Sequence, residues 1–577
     1  MSENLLKTNG LPKPRWLDVL LLSIFTILIT LHPYYLQNEI NLYELGLYLP
    51  GIDTILRHGI PYRDCFHLRG PFELYMPAFL MKAFGPNVAV LSTYFYVGTV
   101  IGLIVCVILG AQLYRTRFLL YLMVLVLIGR TFPRVAFTFW GGMRFAFGLM
   151  AMAAMVQFFK TQKFRWLFLS GIFAACGFFT SPEVGVCTLF GLLVALVFAL
   201  VVRIFEGSTV RVSLSVFLCG MAVVAGPFLS YLIVQHAFVP WLDNVVTVVT
   251  QMQKTFDLHI TMEIPRNFKE ALAAMFDPLS TNFKHMTPAY FYLVLVGYFV
   301  WKIWKKKIEH RDLAIVCLAG YGILMYNTSF RLIWASQFEM ALQPEKILLF
   351  FILEQVYLKL REKLNLAVVV GQGKEITKKL MAGVIIFLIF GLVGSSLGYA
   401  IARYNNRFVA YKFLVRLIKG EDMTSLHPLY GKEHRVITAE RAKGMVAPVG
   451  QVEEIEKLAK FFAENTKEGE TVFIFPELGF HSFIINRPFV GRFPMVTMSW
   501  FKESWHEEFM KDLKSEMPRY AIIDKDPGPA FPAIFFKLER NKRKYDEVVE
   551  FIKENYTVVD ESSGTWIYQM RPKLTER

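Results

Sequence analysis

Apolar runs punctuate the first 400 residues at regular intervals, near 17–35, 88–110, 118–131, 144–159, 166–180, 184–202, 212–234, 287–304, 312–327, 345–358 and 380–400. Several fall short of the roughly 20 residues a full span needs. The pattern therefore predicts a polytopic α-helical membrane protein of about 11 transmembrane helices, some tilted or broken around a cavity. The longest early interruption, 36–87, is not a simple linker. Leu45, Leu47, Leu49, Ile52, Ile55 and Leu56 recur at roughly helical spacing, which predicts an amphipathic helix at the membrane surface. A connection of this length with few breakers is usually functional.

After about residue 401 the pattern becomes that of a soluble domain. Helical periodicity over 452–465, 503–514 and 542–555 alternates with short apolar, β-type runs at 471–475, 520–524, 556–560 and 565–571. That alternation predicts a small α/β domain. The chain thus divides into a membrane part, 1–402, and a C-terminal domain, 403–577.

Composition agrees: 54% of residues are hydrophobic, 53 are Phe, and only 19% are charged. The net charge of +15 sits almost wholly in the membrane part, because 28 basic residues face 26 acidic ones from Arg403 onward. It reflects connections between spans and gives no nucleic-acid face. Basic residues cluster in every second connection, at Lys7 to Arg15, Arg115 and Arg117, Lys160 to Arg165, Arg203 and Arg211, Lys302 to Arg311 and Lys359 to Lys379. By the positive-inside rule these are cytoplasmic. An odd number of spans then places the N-terminus inside, and the 36–87 loop and the C-terminal domain together outside. In a bacterium the membrane would be the cytoplasmic one. Of six cysteines only Cys65 falls in a clearly external segment, and no Cys or His spacing is of metal-binding type.

Charge also occurs where it is expensive. Arg130, Arg134 and Arg144 fall at the outer ends of short predicted helices, where each either snorkels to headgroups or meets an anion. Glu183 follows Pro182 in a break between two apolar runs, read either as a tight hairpin or as part of a site. Arg331, Trp334 and Gln337 lie along one side of a predicted helix near the outer surface. They suit a phosphate beside a stacking platform, or an interfacial aromatic belt with an anchoring arginine.

The loop resembles the first external loop of the GT-C superfamily of polytopic membrane glycosyltransferases, which use polyprenyl-phosphate sugars as donors and include mannosyltransferase-like and aminoarabinose-transferase-like members. The letters that carry the resemblance are Glu44-Leu45-Gly46, Ile55 to Asp64, His67-Leu68-Arg69-Gly70-Pro71 and Phe84-Gly85. Gly141-Gly142-Met143-Arg144, Arg331 to Pro344, Asn486-Arg487-Pro488 and Pro518 to Asp524 reinforce it. Glu44 stands where the family has its catalytic Asp, His67-Leu68-Arg69 where it has Asp-His-Lys, and Gln337-Phe338 where it has His-Tyr.

The resemblance implies transfer, with inversion, of a sugar from a polyprenyl-phosphate donor to a glycan, lipid or protein acceptor outside the cytoplasm. It implies Glu44 as catalytic base, with Asp64 and His67 as the other catalytic candidates. Arg69, Arg130, Arg134, Arg144 and Arg331 become donor-phosphate ligands, and Glu73, Trp334 and Gln337 line the substrate cavity. No cofactor is expected, and a divalent metal stays open. Two other classes stay open as well: a flippase or transporter for a lipid-linked sugar, and a non-catalytic scaffold of the same fold.

Overall fold

The computed structural model describes residues 13–30, 42–131, 142–256, 283–329, 340–370 and 433–572, with a few single positions between these segments. Its membrane part is a helical bundle: α1 (Trp16–Thr30), α2 (Leu42–Gly46), α3 (Leu49–Leu56), α4 (Phe72–Phe84), α5 (Val88–Leu113), α6 (Arg117–Thr131), α7 (Met143–Thr161), α8 (Phe164–Thr180), α9 (Pro182–Val201), α10 (Gly207–Val234), α11 (Phe238–Thr255), α12 (Phe283–Trp304), α13 (His310–Ser329) and α14 (Gln343–Val370). Among the described residues, α5, α7, α9 and α10 are long and apolar enough to cross a membrane, and four shorter apolar helices accompany them. The predicted span at 380–400 lies outside the described segments.

The packing follows composition. Helix α10 is apolar and largely exposed, as a lipid-facing helix is, whereas α5 and α7 are mostly buried. The predicted cytoplasmic ends carry satisfied polar contacts. Glu354 accepts 2.7 Å hydrogen bonds from the backbone N–H of Arg115 and Thr116 and from the Thr116 hydroxyl, capping the entry to α6. Buried Asp18 is paired with Arg117 and accepts from Tyr121. Such pairing is what makes a carboxylate tolerable in an apolar bundle.

Two boundaries differ from the sequence reading. The single amphipathic helix expected in the first loop is two short helices, α2 and α3, because Pro50 favours a fresh helical start at its position. The connection expected at Lys359 to Lys379 is helical as far as Val370, since Leu, Lys, Arg and Glu propagate a helix well without an apolar stripe.

The C-terminal part is α/β. A short antiparallel pair, β1 (His434–Val436) and β2 (Val446–Pro448), precedes α15 (Val449–Asn465). A four-stranded sheet of β3 (Phe473–Phe475), β4 (Tyr520–Asp524), β5 (Tyr556–Glu561) and β6 (Thr565–Met570) has the order β3-β4-β6-β5. Strands β3 and β4 are parallel, and the other pairs are antiparallel. Helices α16 (Gly479–Ile484), α17 (Glu503–Glu516), α18 (Ala530–Phe535) and α19 (Glu539–Asn555) complete it. The pair β1/β2 and the short helix α16 were not legible as elements; runs of three to six residues carry too little periodicity.

This domain does not keep its core to itself. Phe66 from the first loop and Phe256, which follows α11, are buried with Phe473, Phe475, Trp500 and Phe501. Each buried phenyl contributes on the order of 1.5–3 kcal/mol, so the loop, the end of α11 and the domain are held together largely by apolar burial. The backbone N–H of Phe66 also donates to the Arg492 carbonyl at 2.6 Å. Leu49, Ile52, Leu74, Leu91, Phe480 and Phe483 form a second shared core.

Candidate functional site

The first loop is held in a tight shape before it delivers Arg69. His58 and Tyr62 adopt positive φ, 68° and 71°, an uncommon state for side chains of their size that persists only when the surroundings impose it. The Tyr62 hydroxyl donates to the Arg69 carbonyl at 2.6 Å, and the Gly70 N–H donates to the Thr180 carbonyl at 3.0 Å. Gly70 has to be glycine, because a Cβ there would lie 2.1 Å from the Phe179 carbonyl oxygen.

Arg69 thereby meets residues far away in the chain. Its Nη1 lies 3.5 Å from Glu183 Oε1, and Arg144 Nη1 lies 3.7 Å from the same oxygen, which also accepts from the Ser181 hydroxyl at 3.2 Å. Glu73 and Tyr48 complete the cluster. Arg144 and Glu73 are each only 1% exposed, and neither carboxylate oxygen of Glu73 has a hydrogen-bond partner among the described residues.

The helices add to the field. Glu73 sits in the first turn of α4, Arg144 in that of α7 and Glu183 in that of α9. Three helices thus each give a first-turn residue to the cluster, and positive helix N-termini beside two guanidinium groups favour an anion. A guanidinium at a helix N-terminus in an apolar surround is costly without one.

Burial decides the ionisation of the loop's groups. It pushes the Glu73 carboxyl up to about 7, against the pull of Arg144 and Arg69. Burial likewise pushes the Tyr48 hydroxyl up to about 12, opposed by Arg69. Burial lowers Arg69, but Tyr48, Glu183 and Glu73 more than offset it and leave the guanidinium above its usual range. His67 is held down to about 3 by burial, opposed by its hydrogen bond to Leu47 and reinforced by Arg69. Its neutral ring sends Nδ1–H to the Leu47 carbonyl at 3.1 Å, packs edge-on to Tyr48, and has its own carbonyl held by Asn244 at 2.6 Å.

Glu44 is half-buried on α2, on the side of the loop that faces the C-terminal domain. Gly46 and Gly479 let the two backbones touch: a Cβ on Gly46 would be 3.0 Å from the Phe480 nitrogen, and one on Gly479 would be 2.8 Å from the Gly46 oxygen. Tyr43 is exposed and lies close enough to Glu477 and Glu44 to feel both carboxylates. Glu477 accepts from the Thr497 hydroxyl at 2.6 Å, yet burial, with Asp524 adding, pushes it up to about 8. The sequence carried no signal for Glu477 or Tyr48, since neither belongs to a motif or stands out by spacing.

Of the other candidates, Asp64 is engaged locally. It accepts from Arg63 at 2.7 Å through both oxygens and from the Ile60 N–H at 2.7 Å. Burial raises its pKa, but these bonds prevail and hold it below the usual carboxylate range. The side chain of Arg130, and Arg134, Arg331, Trp334 and Gln337 altogether, lie outside the described residues. Among the described residues no group of three or more His, Cys, Asp or Glu could hold a metal ion.

No protein-family model matches the chain, and no curated protein matches it by sequence. Solved structures do match. ArnT from Cupriavidus metallidurans bound to undecaprenyl phosphate superposes with a TM-score of 0.52 at 11% identity, covering 96% of this chain and 98% of that one. The same protein in the apo state gives 0.50 at 14% identity, over 96% and 97%. The chain has a GT-C fold. The likeness spans both parts of the molecule, so the GT-C fold here includes the loop, the bundle and the C-terminal α/β domain. At these identities it speaks for architecture, and the chemistry must be argued from the residues themselves.

Proposed function

We propose that this chain is a membrane glycosyltransferase that moves a sugar, with inversion, from a polyprenyl-phosphate-linked donor to a glycan, lipid or protein acceptor outside the cytoplasm. The observation that carries the reading is the convergence of half-buried Arg69 and buried Arg144 on one carboxylate oxygen of half-buried Glu183, at 3.5 and 3.7 Å. These separations exceed good hydrogen-bond distance, so a phosphate has two guanidinium groups within reach to bind more closely. ArnT, whose fold it shares, was captured with undecaprenyl phosphate.

In this reading Arg69 and Arg144 stabilise the charge that builds on the phosphate oxygens as the bond from sugar C1 to phosphate oxygen breaks and its electron pair stays with the phosphate. Glu44 takes the proton of the acceptor hydroxyl as that oxygen bonds to C1. His67, neutral and held at both ends, orients the loop between them. Arg130, Arg134 and Arg331 are further phosphate ligands, Trp334 and Gln337 wall the cavity, and no organic cofactor enters the reading, with a divalent metal left open. The N-terminus is cytoplasmic, the C-terminal domain lies outside, and in a bacterium the site opens at the outer face of the cytoplasmic membrane.

Reconstitution with a radiolabelled polyprenyl-phosphate sugar tests the reaction: labelled acceptor supports it, whereas movement of the lipid across the bilayer without transfer points to a flippase, and neither to a scaffold. Orientation has its own test. In a background without native cysteines, one placed at exposed Ser515 should react with an impermeant maleimide in intact cells, and one at exposed Ser208 should not. The opposite labelling would put the site on the wrong side of the membrane.

A further inference from the structure

The buried cluster can be electrically balanced in two ways. Arg69 and Arg144 bring two positive charges, and Glu183 brings one negative. With Glu73 ionised the empty cluster is neutral; with Glu73 protonated it carries one positive charge. Arg144 and Glu73 are both buried, and an unbalanced charge beside them is expensive. A sugar-phosphate lipid is a phosphodiester with a single negative charge, so the occupied cluster is neutral only when Glu73 holds a proton.

We propose that Glu73 is a proton-linked positioning residue, taking up one proton when the phosphodiester donor binds between Arg69 and Arg144. The inference rests on the donor reading above and deepens it. Its geometric basis is that Glu73 is 1% exposed, that both its oxygens lack a hydrogen-bond partner among the described residues, and that it stands in the first turn of α4 within electrostatic reach of Arg144 and Arg69. A carboxylate that served only to hold the arginines would be hydrogen-bonded to them, as Asp53 is elsewhere in the loop to Arg57 and Arg441. The ionisable groups facing Glu73 from the surrounding elements are Arg69 and Tyr62 in the loop, Tyr48 beside α3, Tyr94 on α5 and Arg144 on α7. Glu183 on α9 reaches it through the arginines, and α8 brings no charged side chain to this end.

Burial holds the Glu73 carboxyl up at about 7, against the pull of Arg144 and Arg69. A bound anion raises that value further, because the added negative charge opposes ionisation. Affinity is then full below about 7 and falls as pH rises, by up to tenfold per pH unit until the bound-state value is passed.

The test uses the full-length chain in lipid nanodiscs and methyl undecaprenyl phosphate, a phosphodiester that keeps one charge over the range studied. Its dissociation constant is measured between pH 6.5 and 8.5, and proton uptake at pH 8 is read by calorimetry in buffers of different ionisation enthalpy. The expected result is at least a fivefold weakening between about pH 7 and 8.5 with net proton uptake on binding. In Glu73→Gln, which mimics the protonated acid, affinity should vary less than about twofold and uptake should vanish. A flat wild-type profile overturns the proposal, and so does a slope that survives in Glu73→Gln, which would point to Glu477 or another group. Absence of binding at every pH overturns the donor reading and this linkage together.

Discussion

Two ionic networks that the first loop joins to the rest of the molecule are built on opposite plans. In one, Asp53 bridges Arg57 at 2.8 Å and Arg441 of the C-terminal domain at 2.7 Å, and Asn486 accepts from both arginines. Every partner is within hydrogen-bond reach. In the other, Arg69 and Arg144 share one Glu183 oxygen at longer range, and Glu73 is left without a hydrogen bond among the described residues. A satisfied network fastens the domain to the loop. In our reading the second, where buried Glu73 has no hydrogen bond among the described residues, is completed by the donor phosphate.

The largest separation between the two should come from charge removal in the second network. Arg69→Gln is expected to lower transfer by about 10²-fold or more while leaving the unfolding transition close to wild type. Glu44→Gln should cost a similar factor in turnover with donor affinity nearly intact, and Glu44→Asp should recover part of it by restoring a carboxylate. Wild-type turnover in Glu44→Gln would move the role of base to another group.

The first network should behave in reverse. Arg441→Ala leaves the Asp53 carboxylate with one cation instead of two, and a loss of about 2 kcal/mol in unfolding free energy is expected, read as an earlier thermal transition. Donor affinity well below that transition should stay within about twofold, because none of these residues touches the Arg69 cluster. If Arg441→Ala spared stability and abolished donor binding, the two networks would have to exchange roles.

The smallest effect is expected at Asp64→Asn, because Arg63 and Asp64 are 41% and 33% exposed and water screens the pair. A change below about 1 kcal/mol in stability and little change in turnover would keep Asp64 out of the chemistry. A 10²-fold loss of turnover would instead return it to the catalytic candidates.

The residues that marked the loop as unusual were legible because they are close in sequence: Glu44, Asp64, His67, Arg69 and Glu73 fall within one connection between two apolar runs. Their individual roles were not. Asp64 and His67 read alike as candidate proton acceptors, yet one is fastened to Arg63 at the loop surface and the other is buried and held neutral at about 3. Glu183 looked like part of a hairpin, and it is both that and the shared partner of two arginines.

The sequence by itself determined the helical bundle, the loop between the first two apolar runs and the strands β4, β5 and β6, because apolar length and two- or 3.6-residue periodicity are local properties. Only the tertiary structure decided which charges meet. Arg69, Arg144 and Glu183 belong to a loop and two different helices, and nothing in their spacing relates them. Packing of α7 on α9 and the reach of the first loop bring Arg144, Glu183 and Arg69 together, with Glu73 of α4 close enough to feel both arginines. Burial there makes the charge of Glu73 depend on its neighbours.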